Sequence, residues 1–457
     1  MIKSIIYVFA FIIFISCKNE PAQTKTAKVE DKPIKLITLD PGHFHAALVQ
    51  KSMYPEVDST VYVYSPGGND LKMHLDRIKN YNSGKDHPTN WNEEVYSGPD
   101  YFEKMISDKK GNAVVLSGNN RIKADYIYKS LEAGFHVFAD KPMIIHSDDF
   151  PKLKSAFDLA KQKGLTLYDI MTERYEAATQ LQKLFSQNDT VFGVLKEGSE
   201  HEPAISIESV HFLYKYVSGN VLVRPEWFLD TKQQGEGIVD VQTHLVDLVQ
   251  WMAFPEKIID TNAIKINTCK RWPTSITLSQ YQTITKSNQF ADFLKKDIQK
   301  DTVLQTYLNG EINYTLMGKH VKTRAIWNYK APEGTGDTHY SKFTGSRSNL
   351  IITQTPQDNN KPTLHIQVNK KSAAILHAIQ NQLSNISKEW PGLTVQEEES
   401  GYKIIISPSL QEGHEAHFAQ VMKKFLDYTL HGNMPVWEVP NTIAKYWLTT
   451  TALKKSK

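Results

Sequence analysis

The stretch Ala133-Gly-Phe-His-Val-Phe-Ala-Asp-Lys-Pro-Met143 constrains this chain more than any other. Upstream of it, Ala124, Ile127, Tyr128 and Leu131 recur at helical spacing, and Gly134 stands where a helix end favours a residue free to turn left-handed. Phe135 to Ala139 suits a short buried strand, and Pro142 stops the ladder just past Lys141. Helix, strand and a lysine at the strand's carboxyl end form one unit of an open α/β sheet, in which ligands bind beyond the strand ends. The same alternation runs on both sides. Strands are expected at 34–40, 60–65, 113–117 and 165–171, with helices at 101–106 and 150–163. This predicts an α/β fold whose first part is a doubly wound parallel sheet, interrupted at 69–98 by a polar insertion with helical parts.

After Met171 the pattern changes. A helix over 175–185 is followed by aromatic, alternating segments at 205–216, 260–266, 275–281, 304–317, 320–329, 349–355, 363–368 and 402–406. Polar and apolar residues alternate in many of them, as in a large open, mainly antiparallel sheet with one wet face. Two further helices are expected at 372–388 and 416–428. The chain is therefore divided into a nucleotide-type domain at 33–172 and an α+β domain at 173–457.

The amino end reads as an export segment. Lys3, an apolar run from Ile5 to Ile15 too short to span a bilayer, and Ser16-Cys17 precede a polar tether over 18–32. The apolar run ending in Ile-Ser-Cys resembles a bacterial lipobox, which implies a signal peptide over 1–17, a lipid on Cys17 and an exported protein whose sole hold on the membrane is that anchor. With Cys17 so used, Cys269 has no partner. Formal net charge is +3, with no basic block, so nucleic acid is not an expected partner.

Two motifs carry a family resemblance. Ala-Gly-x-His-Val-x-x-Asp-Lys-Pro at 133–142 is similar to the Glu-Lys-Pro motif of the Gfo/Idh/MocA oxidoreductases, with Asp140 in place of glutamate. Gly235-Glu-Gly-Ile-Val-Asp240-Val-Gln-Thr-His244-Leu-Val-Asp247 keeps the Asp, His and Asp spacing of the family's second motif, with Gln242 where glycine is usual. The resemblance implies a Rossmann domain holding NAD or NADP, an open sheet that binds a sugar or glycoside and often joins subunits into a homo-oligomer, and Lys141 between nicotinamide and substrate. The cofactor set it implies is Gly42, His43, Phe44, Ser65, Ser117, Asn119, Asn120, Asp140 and Lys141, and the substrate set is Arg174, Asp240 and His244. The chain departs from the family's glycine fingerprint: after the first strand only Gly42 remains, in Pro41-Gly-His-Phe-His45. Ser65 stands where an acid contacting the adenosine ribose is common, which leaves NAD against NADP open.

Asp240, His244 and Asp247 fall at i, i+4 and i+7, so one helical face can carry all three toward a cleft. Oxidation of a carbinol needs a hydride acceptor and a base. In that role Lys141 holds the substrate oxygen, His244 takes the proton and Asp240 orients it, while Asp247 caps and pairs within its helix. His414 and His417 lack a third ligand nearby, so they read as exposed histidines at a helix start, and no metal is expected. Trp327, His339 and Tyr340 flank a loop that can line a sugar site. The reading is an NAD(P)-dependent dehydrogenase of a sugar or glycoside, C3 of a glucoside among the candidates, with tightly held cofactor. The alternatives are an NAD-dependent glycosidase working by transient oxidation and elimination, and a non-catalytic sugar-binding lipoprotein of the same fold.

Overall fold

The computed structural model describes residues 33–457 apart from 218, 301 and 334. The expected export segment, Cys17 and the expected tether lie outside the described residues. Six parallel strands form the first sheet: β1 (Leu36–Leu39), β2 (Thr60–Ser65), β3 (Asn92–Ser97), β4 (Ala113–Leu116), β5 (His136–Ala139) and β6 (Leu167–Asp169), in the order β3-β2-β1-β4-β5-β6. This is the doubly wound Rossmann arrangement, with its switch point between β1 and β4. β1 and β4 are buried at every position, the mark of a sheet covered on both faces.

The polar stretch 69–98 is part of this sheet rather than an insertion. It supplies the helix Gly68–Asn82 and the edge strand β3, paired to β2 from Asn92 to Ser97. None of the six β3 residues is buried, so no apolar run announces it.

The second sheet has ten strands around Ile205–Tyr214, which runs parallel to Lys319–Lys330 and antiparallel to Thr338–Thr344. All its other pairings are antiparallel. The expected strands at 260–266 and 275–281 are the start and end of one long strand, Ile264–Thr277. It stops where Thr277 caps the helix Leu278–Thr285: Oγ1 accepts from Gln280 N at 3.3 Å, and Gln280 Oε1 accepts from Thr277 N at 2.9 Å. The helices Ala177–Ser186, Gln242–Ala253 and Ala373–Asn385 contribute to the core on one face of this sheet. No helix among the described residues is long and apolar enough to cross a membrane.

The last two helices return to the first sheet. His414–His431 lays Phe418, Val421, Met422 and Phe425 against one face, with Phe425 stacked on Phe138 at 4.8 Å between ring centres. Glu438–Ser456, which the sequence reading does not contain, crosses to the other face. There the Tyr446 hydroxyl donates to Asp169 Oδ2 at 2.9 Å and accepts from Met143 N at 3.0 Å.

Candidate active site

Lys141 leaves the end of β5 and donates to Asp240 Oδ1 at 2.6 Å. This ion pair joins the two sheets at the floor of a cleft of about 1160 Å3, also lined by His43, His45, Glu173, His244 and Trp327. Burial works against the charge of Asp240, but the Lys141 ammonium holds its carboxyl below the usual range. Asp240 does not lie on the helix that carries His244: that helix is Gln242–Ala253, and Asp240 sits in the turn before it. Gln234 gives Asp240 a second hydrogen bond.

His244 is buried in the same cleft. Burial, aided by the Lys141 charge, lowers its pKa to about 3, so the ring is a neutral imidazole at working pH. Its Nδ1 is buried and has no hydrogen-bond partner among the described residues.

Asp247 and Arg174 point elsewhere. Arg174, expected to face substrate, does not line the cleft; its Nε and Nη2 donate to the two Asp247 oxygens at 2.6 and 2.7 Å, and Nη1 to Glu438 Oε2 at 2.9 Å. Lys445 bridges Asp247 Oδ1 at 3.0 Å and Asp169 Oδ2 at 2.9 Å. One helical face therefore does not deliver all three motif residues to substrate. Spacing fixed the angle of Asp247 around its helix, and the carboxyl-terminal helix supplies cations on that side.

The turn after β1 also differs from expectation. The helix there is only His45–Val49, and two amides that would meet a phosphate are already spent: Gly42 N donates to the Asp40 carbonyl at 2.7 Å and His43 N to the Ser117 carbonyl at 2.9 Å. A Cβ on Gly42 would lie 3.0 Å from both Asp70 Oδ2 and the Trp227 ring. Trp227 Nε1 donates to that same oxygen at 2.8 Å. Farther along, Asn119 Nδ2 donates to Gln233 Oε1 and Asn120 Nδ2 to the Gln234 carbonyl, both at 2.7 Å. Residues 225–235 thus cross the crevice where a dinucleotide would lie. Asp40, raised to about 6 by burial and by Asp70, adds an acid to the same turn. While 225–235 occupies this position, the turn does not fit a pyrophosphate.

The remaining residues of the expected cofactor set are accounted for. The Ser65 hydroxyl accepts from Gly67 N at 3.1 Å. Phe44 packs against both the His43 and His45 rings, at 4.6 and 4.5 Å, which themselves lie 4.0 Å apart. Those two imidazoles bond Asp140 through Nδ1 at 3.1 and 3.0 Å, and Ser117 Oγ donates to the same carboxylate at 2.9 Å.

Two corrections concern histidines. His417 is buried rather than exposed, and both it and His414 line the cleft; His414 Nδ1 lies 3.3 Å from Glu173 Oε1. Trp327 and His339 line it as well, whereas Tyr340 is exposed outside it. The sequence reading missed Arg224. Its guanidinium is buried over Phe228 and Trp327, donates to the Leu213 and Phe212 carbonyls, and has no carboxylate partner among the described residues. The only local signal was a charged residue leading into Pro225, Trp227 and Phe228.

This clustering of histidines sets a pH dependence. Burial lowers His244 to about 3 and His339 and His417 to about 4. The unfolded chain, with ordinary histidines near 6.5, binds protons the folded chain refuses, so stability falls as pH drops below about 6.5. Burial raises Glu176 to about 7 and Asp40 to about 6, which opposes this trend with fewer groups. Thermal melting is expected at a lower midpoint at pH 4.5 than at pH 6.5, with a smaller drop in His417→Phe. A midpoint that holds or rises on acidification contradicts the assignment.

Comparison with known proteins agrees with this geometry in outline. Residues 70–169 match the family described as "Oxidoreductase family, NAD-binding Rossmann fold", and residues 181–457 match "Putative oxidoreductase C terminal domain". The chain is similar to a solved "putative oxidoreductase" from Parabacteroides merdae at 48% identity and a TM-score of 0.89, over 93% of this chain and 98% of that one. Two more distant structures share the fold. One is a "putative oxidoreductase" from Thermotoga maritima, at 13% identity and a TM-score of 0.57, over 93% of this chain and 98% of that one. The other is KijD10, a 3-ketoreductase from Actinomadura kijaniata in complex with NADP and TDP-benzene, at 14% and 0.54 with the same coverage. No curated protein matches.

Proposed function

Because this chain belongs to the Gfo/Idh/MocA family of oxidoreductases, whose first domain is an NAD-binding Rossmann fold, we propose that it oxidises a ring hydroxyl of a sugar or glycoside, C3 of a glucoside first among them. The observation that carries the reading is the Lys141–Asp240 pair at 2.6 Å in one cleft with the neutral imidazole of His244. Lys141 donates to the substrate oxygen and stabilises it as negative charge grows there. Asp240 holds the ammonium in place, and neutral His244 accepts the hydroxyl proton.

Trp327 lines the same cleft with His211, their rings stacked at 4.9 Å, and supplies aromatic lining of the kind a sugar site uses. A protein of the same fold, KijD10, is a 3-ketoreductase that binds NADP. The hydride acceptor is the family's dinucleotide. Residues 225–235 close its phosphate turn in this structure. That closure favours a second reading, a sugar-binding protein of this fold that does not turn over.

One experiment separates the two. The protein is denatured and any released nucleotide identified by absorbance and mass. Native protein is then given a panel of glycosides with and without added NAD or NADP, and reduced-nicotinamide absorbance is followed. Oxidation of at least one glycoside is expected. Glycoside binding without oxidation under every cofactor condition would replace the enzyme with the binding protein.

A further inference from the structure

Two departures of this chain from its family pattern lie far apart in sequence: the turn after β1, where only Gly42 of the glycine fingerprint remains beside His43 and His45, and Asp140 where glutamate is usual. In the fold they meet. The Nδ1 atoms of both imidazoles lie 3.0 to 3.1 Å from the Asp140 carboxylate, and the three ligand atoms fall within 4.8 Å of one another. We propose that His43, His45 and Asp140 bind a divalent first-row transition ion of the zinc class.

The donor set suits that ion. Two imidazole nitrogens and one carboxylate oxygen are the set found in catalytic zinc sites, which keep a further position open. Tetrahedral bonds of about 2.0–2.1 Å place donors roughly 3.3 Å apart; the two imidazole–carboxylate spacings are a few tenths of an ångström short of that, and the two rings lie side by side with centres 4.0 Å apart. His45 and Asp140 are buried, while His43 and His45 line the cleft, so the ion is reached from the side where substrate enters. Ser117 Oγ, at 2.9 Å, and Lys123 Nζ, which donates to the Asp140 carbonyl at 2.9 Å, hold the aspartate in place, as outer groups do around metal ligands.

The site also has a place in the fold's logic. In the turn after β1 the Gly42 and His43 amides are spent, Asp40 stands in the turn itself, and Asp70 of the helix Gly68–Asn82 packs against it. A divalent ion there restores positive charge between β1 and β5, and its open position takes an oxygen donor from water or substrate. This inference does not depend on the sugar reading, because the ion is bound without substrate.

The test uses untagged protein, stripped with chelator and titrated with Co2+ and with Zn2+. About one ion per chain is expected, with visible cobalt absorption that zinc abolishes. His43→Gln and His45→Gln should each weaken binding by about a hundredfold or more, since even outer-sphere changes cost 10–100-fold. His414→Gln, outside the donor set, should leave affinity within a few-fold. Circular dichroism and melting show whether each variant is folded, and His43→Gln, on the cleft wall, stands in for His45→Gln if the latter fails to fold. Absence of cobalt absorption in the parent protein overturns the site, and so does unchanged affinity in a folded His43→Gln.

Discussion

Lys141→Ala and His244→Ala each lower turnover of the best glycoside by about two to four orders of magnitude, the usual cost of losing a positioned donor or a general base. The effect is expected in kcat rather than in folding. Lys141 reaches Asp240 from the end of a strand, and His244 Nδ1 makes no internal bond that its loss would break. Removing Lys141 strands Asp240 with only the Gln234 hydrogen bond, so Lys141→Met paired with Asp240→Asn is the check that a lost rate is not a buried charge unmasked. Near-parent rates in both single variants would end the proposed proton chemistry.

The second large effect is on stability. Arg174→Met is expected to cost about 3–5 kcal/mol, because it leaves Asp247 and Glu438 as buried carboxylates without their principal cation. Lys445 still reaches Asp247, which keeps the cost from rising further. The urea midpoint should fall while kcat of the remaining folded protein stays within a few-fold. A variant of parent stability with a raised KM would instead return Arg174 to the substrate.

Much of the first sheet was legible because buried parallel strands are continuous apolar runs. Ala113–Leu116 and His136–Ala139 could hardly be anything else once Gly134 and Pro142 marked the ends. The polar edge strand Asn92–Ser97 was illegible for the converse reason. Glu438–Ser456 was missed because Pro440 and the run Thr449-Thr450-Thr451 read against a helix, although Pro440 falls in the first turn, where a missing amide costs nothing.

At the site, Lys141, Asp240 and His244 were singled out by the two motifs that resemble the family's, and the fold brings all three to one cleft. Partners did not follow. That Arg174 belongs to Asp247, or that Trp227 lies on Gly42, depends on where distant segments come to rest. The meeting of His43, His45 and Asp140 was out of reach for the same reason, although each residue had already stood out as unusual.

The return of the last two helices to the first sheet bears on how the chain is made. The Tyr446 hydroxyl and Met143 N, joined by one hydrogen bond, are 303 residues apart. At about 5–20 residues per second of synthesis, that separation is roughly 15–60 s. Throughout that interval Phe138, the partner of Phe425, lacks its cover, and so does the sheet face around it. The first domain therefore cannot finish folding as an amino-terminal unit ahead of the rest. The face that His414–His431 covers stays open until that helix leaves the ribosome, and this is the period in which the growing chain most needs shielding from its neighbours.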